Sequence, residues 1–243
     1  RHSHHLLAHY GIQKPLKSYH KFNETSREED LIADLKNGLN IALISDAGTP
    51  GICDPGLQLV KRCREEGIAV TALPGACAAI LALAPSGLSS ERFQFVGFLP
   101  KKTSELRGSL QEILQYAGTT VCYESPHRIE ETLQALDSLA GSRPLAIARE
   151  LTKTFEEYLR GTASELLAHF KEHPPRGEIV LLIAGETETQ DFSALSPQEH
   201  VHALQEQYGL SKQEAIKLAA TLRNVPKKTI YKAVHLAVDS EDC

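Results

Sequence analysis

The chain has 243 residues, 42% of them hydrophobic and 23% charged, with a formal net charge of -5 at pH 7. That length can bury a substantial core as one large domain or two smaller ones, and no apolar run approaches the roughly 20 residues that cross a bilayer, so no membrane partner is expected. The negative balance excludes a uniformly basic nucleic-acid binder while leaving room for a local basic patch.

The chain begins at Arg1 and contains no methionine, so a further segment is expected upstream; no signal peptide is visible in the histidine-rich opening. Residues 3–10 read as the end of a helix stopped by Gly11. His5 and His9 stand at i, i+4 there, a spacing read as a solvated helix face rather than a metal site, and no metal is expected. Residues 23–36 read as a helix with Thr25 or Ser26 as N-cap and Leu31, Ile32 and Leu35 on one face. The apolar run 41–45 reads as a buried parallel strand, 57–66 as a helix stopped by Gly67, 68–73 as a second strand, and 76–84 as a tightly packing helix. A second set follows, with strands at 93–98, 119–123, 145–149 and 178–184 and helices at 106–116, 129–139 and 163–170. The polar stretch 186–196 reads as a linker, and 197–238 as a separate helical piece.

Ligands of parallel α/β sheets bind outside the carboxyl ends of the strands. Four unusual loops lie there: 45–56 (SDAGTPGICDPG), 74–79 (PGACAA), 123–128 (YESPHR) and 148–154 (ARELTKT). Glycine and small residues in the first two let a ligand approach backbone groups closely. G-x-G-x-x-G and G-x-x-x-x-G-K-[ST] are both missing, so a nucleotide di- or triphosphate is not indicated, and G-x-S-x-G and H-E-x-x-H are missing as well. The five cysteines, Cys53, Cys63, Cys77, Cys122 and Cys243, form no C-x-x-C pair, which fits a reducing cytoplasm better than a disulfide framework or a zinc site.

The blocks SDAGTP-x-x-x-DPG, LPG, SGL-x-x-x-RF-x-x-x-GFLP, YESPHR, ARELTKT and GE-x-V-L-L-I-x-G occur in that order along nearly the whole chain. Together they resemble the tetrapyrrole methylase superfamily, and more narrowly its ribosomal RNA small subunit methyltransferase I branch. The resemblance implies a two-lobed α/β fold with S-adenosylmethionine between the lobes, here residues 1–92 and 93–186, plus the helical piece 197–238. It also implies a homodimer that methylates the 2′-hydroxyl of a cytidine in 16S ribosomal RNA. By motif, Ser45, Asp46, Gly48, Thr49, Cys77, Ala78, Glu124 and Leu151 border the cofactor. Family members start with a further strand and a P-T-P-I-G-N-L type loop, followed by an Asp-Thr, which do not occur in this sequence. Cys53 and Ala76 replace residues more usual in the family.

Methyl transfer from a sulfonium is an in-line displacement, and a ribose hydroxyl benefits from a base or from a cation at the developing alkoxide. The candidates are Glu124, His127, Arg128, Arg149, Glu150 and Lys153. Lys153 or Glu150 suits proton handling, and Arg128 or Arg149 a phosphate contact. From Ser211 to Lys232 six basic residues, Lys212, Lys217, Arg223, Lys227, Lys228 and Lys232, face one acid, Glu214. Ser211 and Glu214 have capping-box spacing, and a turn at 224–226 separates two helices in the manner of a helix-turn-helix suited to RNA phosphates. A precorrin-like tetrapyrrole is the alternative substrate. A ligand-sensing DNA-binding regulator is the alternative of another class.

Overall fold

A computed structural model describes residues 2–185, 195–208, 210–223 and 225–236. The chain divides into two compact units, 1–186 and 187–243.

The first unit opens with α1 (His2–His9), α2 (Glu24–Lys36), α3 (Leu57–Glu65) and α4 (Ala78–Leu83). Leu31 and Ile32 of α2 pack on Leu59 and Cys63 of α3, with Ile68 and Val70 laid against them. The N-cap of α2 is Asn23, not Thr25 or Ser26. Its side-chain oxygen accepts from His20 N at 2.7 Å and so closes the preceding turn. The runs 41–45, expected as a buried parallel strand, and 68–73, expected as a second strand, join no ladder among the described residues. An apolar run becomes a strand only when a neighbour takes its backbone N–H and C=O groups, and Ile41, Ile44 and Leu73 stay exposed. The helix read at 76–84 is shorter, starting only after Cys77.

The sheet comes next, built from β1 (Phe93–Phe98), β2 (Thr119–Glu124), β3 (Leu145–Arg149), β4 (Glu157–Gly161) and β5 (Ile179–Ile183) in the order β1-β2-β5-β3-β4. β1 runs parallel to β2, and β5 runs antiparallel to both β2 and β3, so β1, β2 and β3 all point one way. The edge strand β4 pairs antiparallel with β3 and is the one strand missing from the sequence reading. Helices α5 (Thr103–Gln115), α6 (Ile129–Ala140) and α7 (Ala163–Glu172) intervene. They bury Leu106, Leu110, Leu133, Leu136, Leu166 and Phe170 against Cys122, Ile147 and Leu181 on one sheet face. The other face offers Val121, Ala146, Ala148, Val180 and Leu182 to Ala79, Ala82 and Leu83 of α4. Small residues on both partners let the helix approach closely, so one end of α4 and the loop before it meet this face.

In the second unit α8 (Pro197–Tyr208), α9 (Lys212–Leu222) and α10 (Lys227–Leu236) enclose Val201, Leu204, Ile216, Ala219, Ile230 and Val234. Ser211 and Glu214 form the expected capping box at the start of α9. The proposed linker falls mostly at 186–194, outside the described residues. No helix among the described residues is long and apolar enough to cross a membrane.

Candidate active site at the sheet end

The carboxyl ends of β1, β2 and β3 bring the predicted loops to one edge. Within 45–56, positive φ angles at Gly48 (73°), Gly51 (80°), Cys53 (58°) and Gly56 (137°) fold the chain into successive tight turns. Ser45 Oγ donates to the Asp54 carboxylate, and Ala47 N donates back to Ser45 Oγ at 3.2 Å. Thr49 Oγ1 donates to Ala76 O at 2.9 Å, joining this loop to the one before α4. Asp46 is exposed and accepts from Ser3 Oγ at 3.0 Å. At Gly97 (φ 70°) the β1 register shifts, and a Cβ there would stand 3.1 Å from Cys53 Sγ. Residue 97 therefore lets the 45–56 loop come down onto the end of β1.

Cys77, Ala78 and Leu151 are half-buried against the face that carries Tyr123 and Phe95. The Tyr123 ring lies edge-on to Phe95 and Phe98, with centroids 4.9 and 5.5 Å away. Burial pushes its hydroxyl pKa up, reinforced by the neighbouring Cys77. Burial, with Asp54 adding, likewise pushes the Cys53 thiol up, away from thiolate character. Residues 37–60 contain two charged side chains, Asp46 and Asp54, and residues 68–90 contain none. A phosphate would meet no cation in these two segments. A sulfonium nucleoside would meet carboxylates, hydroxyls and open backbone.

Glu124 sits elsewhere. Strand alternation turns Tyr123 to the α4 face and Glu124 to the opposite one. Its buried carboxylate accepts from Ser125 N at 2.7 Å and Thr132 Oγ1 at 2.9 Å, and pairs with Arg128 Nη1 at 3.4 Å. Arg128 also donates to the Leu99 O (3.3 Å) and Pro100 O carbonyls. The blocks GFLP and YESPHR thus meet through one guanidinium. His127 is exposed, its backbone N–H bound to Ser125 Oγ at 3.3 Å.

Arg149 pairs across the β3–β4 ladder with Glu157. Glu150 Oε1 accepts from Lys153 Nζ at 2.9 Å and from Glu178 N at 3.0 Å, and Lys153 Nζ reaches Glu178 Oε2 at 3.0 Å. The hydrogen bonds from Lys153 and from the Glu178 backbone hold the Glu150 carboxyl below its usual range. Those to Glu150 and Glu178 raise the Lys153 ammonium. Neither group is tuned to accept a proton near neutrality. Glu178, Glu157 and Asp54 were not singled out from sequence. Glu178 and Asp54 lie inside quoted motif blocks, and that was the available signal.

In the second unit Lys212, Lys217, Lys227, Lys228 and Lys232 are exposed. Arg223 is turned inward, donating to His200 Nδ1 at 2.8 Å, to Ser196 O at 3.3 Å and to Leu195 O.

The backbone-rich, cation-free loops 45–56 and 74–79 lie beside the carboxyl end of the sheet, while the loops that follow β2 and β3 bring Arg128, Arg149 and Lys153, the arrangement of an α/β protein that takes its ligand at that edge. The sequence model of the tetrapyrrole (corrin/porphyrin) methylases matches residues 3–167, and the chain belongs to that family. Within it the chain is 44% identical over 238 residues to "Ribosomal RNA small subunit methyltransferase I" of Halalkalibacterium halodurans, covering 95% of this chain and 81% of the relative. It is 43% identical over 234 residues to the protein of the same name from Bacillus subtilis, covering 93% and 80%. Among solved structures, diphthine synthase superposes with a TM-score of 0.56 at 13% identity, covering 75% of this chain and 73% of that one, a likeness of fold.

Proposed function

We propose that the protein transfers the methyl group of S-adenosylmethionine to the ribose 2′-hydroxyl of a cytidine in 16S ribosomal RNA, acting in the cytoplasm as a homodimer. The observation that carries this reading is the 44% identity over 95% of the chain to a relative bearing the small-subunit methyltransferase name. The donor set fits the cofactor, since two carboxylates and no cation line 37–60. S-adenosylmethionine, when bound, supplies an electrophilic methyl on sulfur. The backbone of Ser45, Asp46, Gly48 and Thr49, with Cys77, Ala78 and Leu151, would border it.

The remaining catalysis is positioning plus charge stabilisation. As the 2′-hydroxyl gives up its proton to solvent water, Lys153, held as an ammonium by Glu150 and Glu178, offers its third hydrogen to the oxygen that gains negative charge and takes the methyl group. Arg149 supplies a guanidinium for a substrate phosphate. Arg128 and Glu124 act as positioning residues that fix the turn at 99–100. The exposed lysines of the second unit dock RNA by neutralising phosphates, while Arg223 holds that unit together. The test is methyl transfer from labelled cofactor, offered unmethylated small subunits on one side and a precorrin-like tetrapyrrole on the other. Label in ribosomal RNA alone is expected; label in the macrocycle alone would overturn the reading. Lys153→Ala should lower the transfer rate by about a hundredfold or more with cofactor binding unchanged.

A further inference from the structure

Residues 150–156 connect β3 to β4, longer than the usual hairpin loop. Two non-glycine residues in this turn hold positive φ angles, Glu150 at 52° and Thr152 at 66°. Such angles persist only where the surroundings over-determine them, and they gather at functional sites. Here the surroundings do so. Glu150 N donates to Glu178 O at 3.0 Å, Lys153 N to Glu150 O at 3.0 Å and Glu156 N to Lys153 O at 3.2 Å. Thr152 N is held by the Glu156 carboxylate, and the Glu150 carboxylate by Glu178 N and Lys153. This rigid turn presents Phe155 with 73% of its surface exposed. Phe155 joins none of the apolar clusters of the described residues.

A large apolar ring on a turn whose backbone is already held leaves a partner only the side-chain rotation to order, which lowers the cost of binding a flat guest. Unpaired RNA bases are such partners, and stack on aromatic side chains. The neighbouring carboxylates are all engaged, Glu156 with Thr152 N, Glu157 with Arg149, and Glu150 and Glu178 with Lys153, and Lys153, two residues from the ring, keeps a side chain 46% exposed. Leu151 of the same turn packs on the face that carries Cys77, Ala78 and Tyr123, so a base held here lies beside the cofactor loops. We propose that Phe155 is the stacking platform for one unpaired base of the RNA substrate, with Lys153 beside it; the inference rests on the RNA-methylating function above.

The chain contains no tryptophan, so Phe155→Trp installs a single fluorescent reporter. Wild-type protein is first shown to methylate the small subunit and to bind a decoding-region RNA hairpin. Adding that hairpin to Phe155→Trp should then quench its emission. Phe155→Ala and Phe155→Leu should raise KM for RNA between about fivefold and about a hundredfold, with cofactor affinity unchanged, while Phe155→Tyr stays near wild type. Wild-type KM in both non-aromatic variants together with unquenched tryptophan emission would overturn the proposal. So would emission that shifts with protein concentration in the absence of RNA, because the ring would then be covered by a second copy. A wild-type protein that neither binds nor methylates RNA would overturn the function underneath it instead.

Discussion

At the scale of single residues, the motif blocks divide into side chains that face the loops 45–56 and 74–79 and side chains that pin one motif block to another. Glu124 and Tyr123 are neighbours in sequence, yet a strand sends them to opposite faces. Glu124 is among the candidates read from YESPHR and Tyr123 is not; the two-residue period of the strand holds the clue to which face each takes. Glu124 is buried with a cation, a hydroxyl and a backbone donor. Removing the cation leaves a buried charge uncompensated, so Arg128→Ala should cost about 3 kcal/mol in chemical denaturation. Glu124→Gln, which keeps an acceptor for Thr132, should cost less. A double-mutant cycle reads the coupling; additive losses would place Arg128 outside this network. Gly177 offers a second test. It sits at φ 78°, and a Cβ there would lie 2.2 Å from Glu150 Oε1. Gly177→Ala should therefore destabilise the fold by more than about 1 kcal/mol and displace Glu150 from Lys153. Calorimetry and the rate of methyl transfer should both register it.

At the scale of elements, legibility followed periodicity and neighbours. The helices α5, α6 and α7 repeat apolar residues at helical spacing, β3 and β5 are short apolar runs buried on both faces, and β2 (TTVCYE) is rich in residues that favour strands; all six were readable. β4 was not, because the edge sequence EYLRG alternates half-buried and exposed positions and has no apolar run. The segments 41–45 and 68–73 show the converse: their composition reads as strand, but a strand also requires a partner, which composition does not supply. In the helical unit the charge pattern was legible and the inward reach of one arginine was not. Arg223→Ala should lower the melting temperature of that unit, since its guanidinium ties α9 to Leu195, Ser196 and His200. Replacing Lys227, Lys228 and Lys232 should leave melting unchanged and reduce the salt slope of RNA binding by about 0.7 per lysine removed. Burial, aided by Arg223, depresses the His200 pKa. The unfolded chain then binds more protons, so stability falls as pH drops below the ordinary histidine value of about 6.5. His200→Gln should flatten that dependence in melts between about pH 7 and pH 5.

At the scale of the whole molecule, the division into units 1–186 and 187–243 separates chemistry from docking in the proposed function. Deleting 197–243 should weaken RNA binding and leave cofactor affinity intact; unchanged RNA affinity would remove the helical unit from substrate recognition. The most direct measurement incubates the protein with labelled S-adenosylmethionine and small subunits from a strain lacking this methylation, then maps the labelled nucleotide. A single 2′-O-methylated cytidine in 16S ribosomal RNA is the expected result. Label on a base, or no label in the RNA while a tetrapyrrole accepts the methyl group, would contradict it.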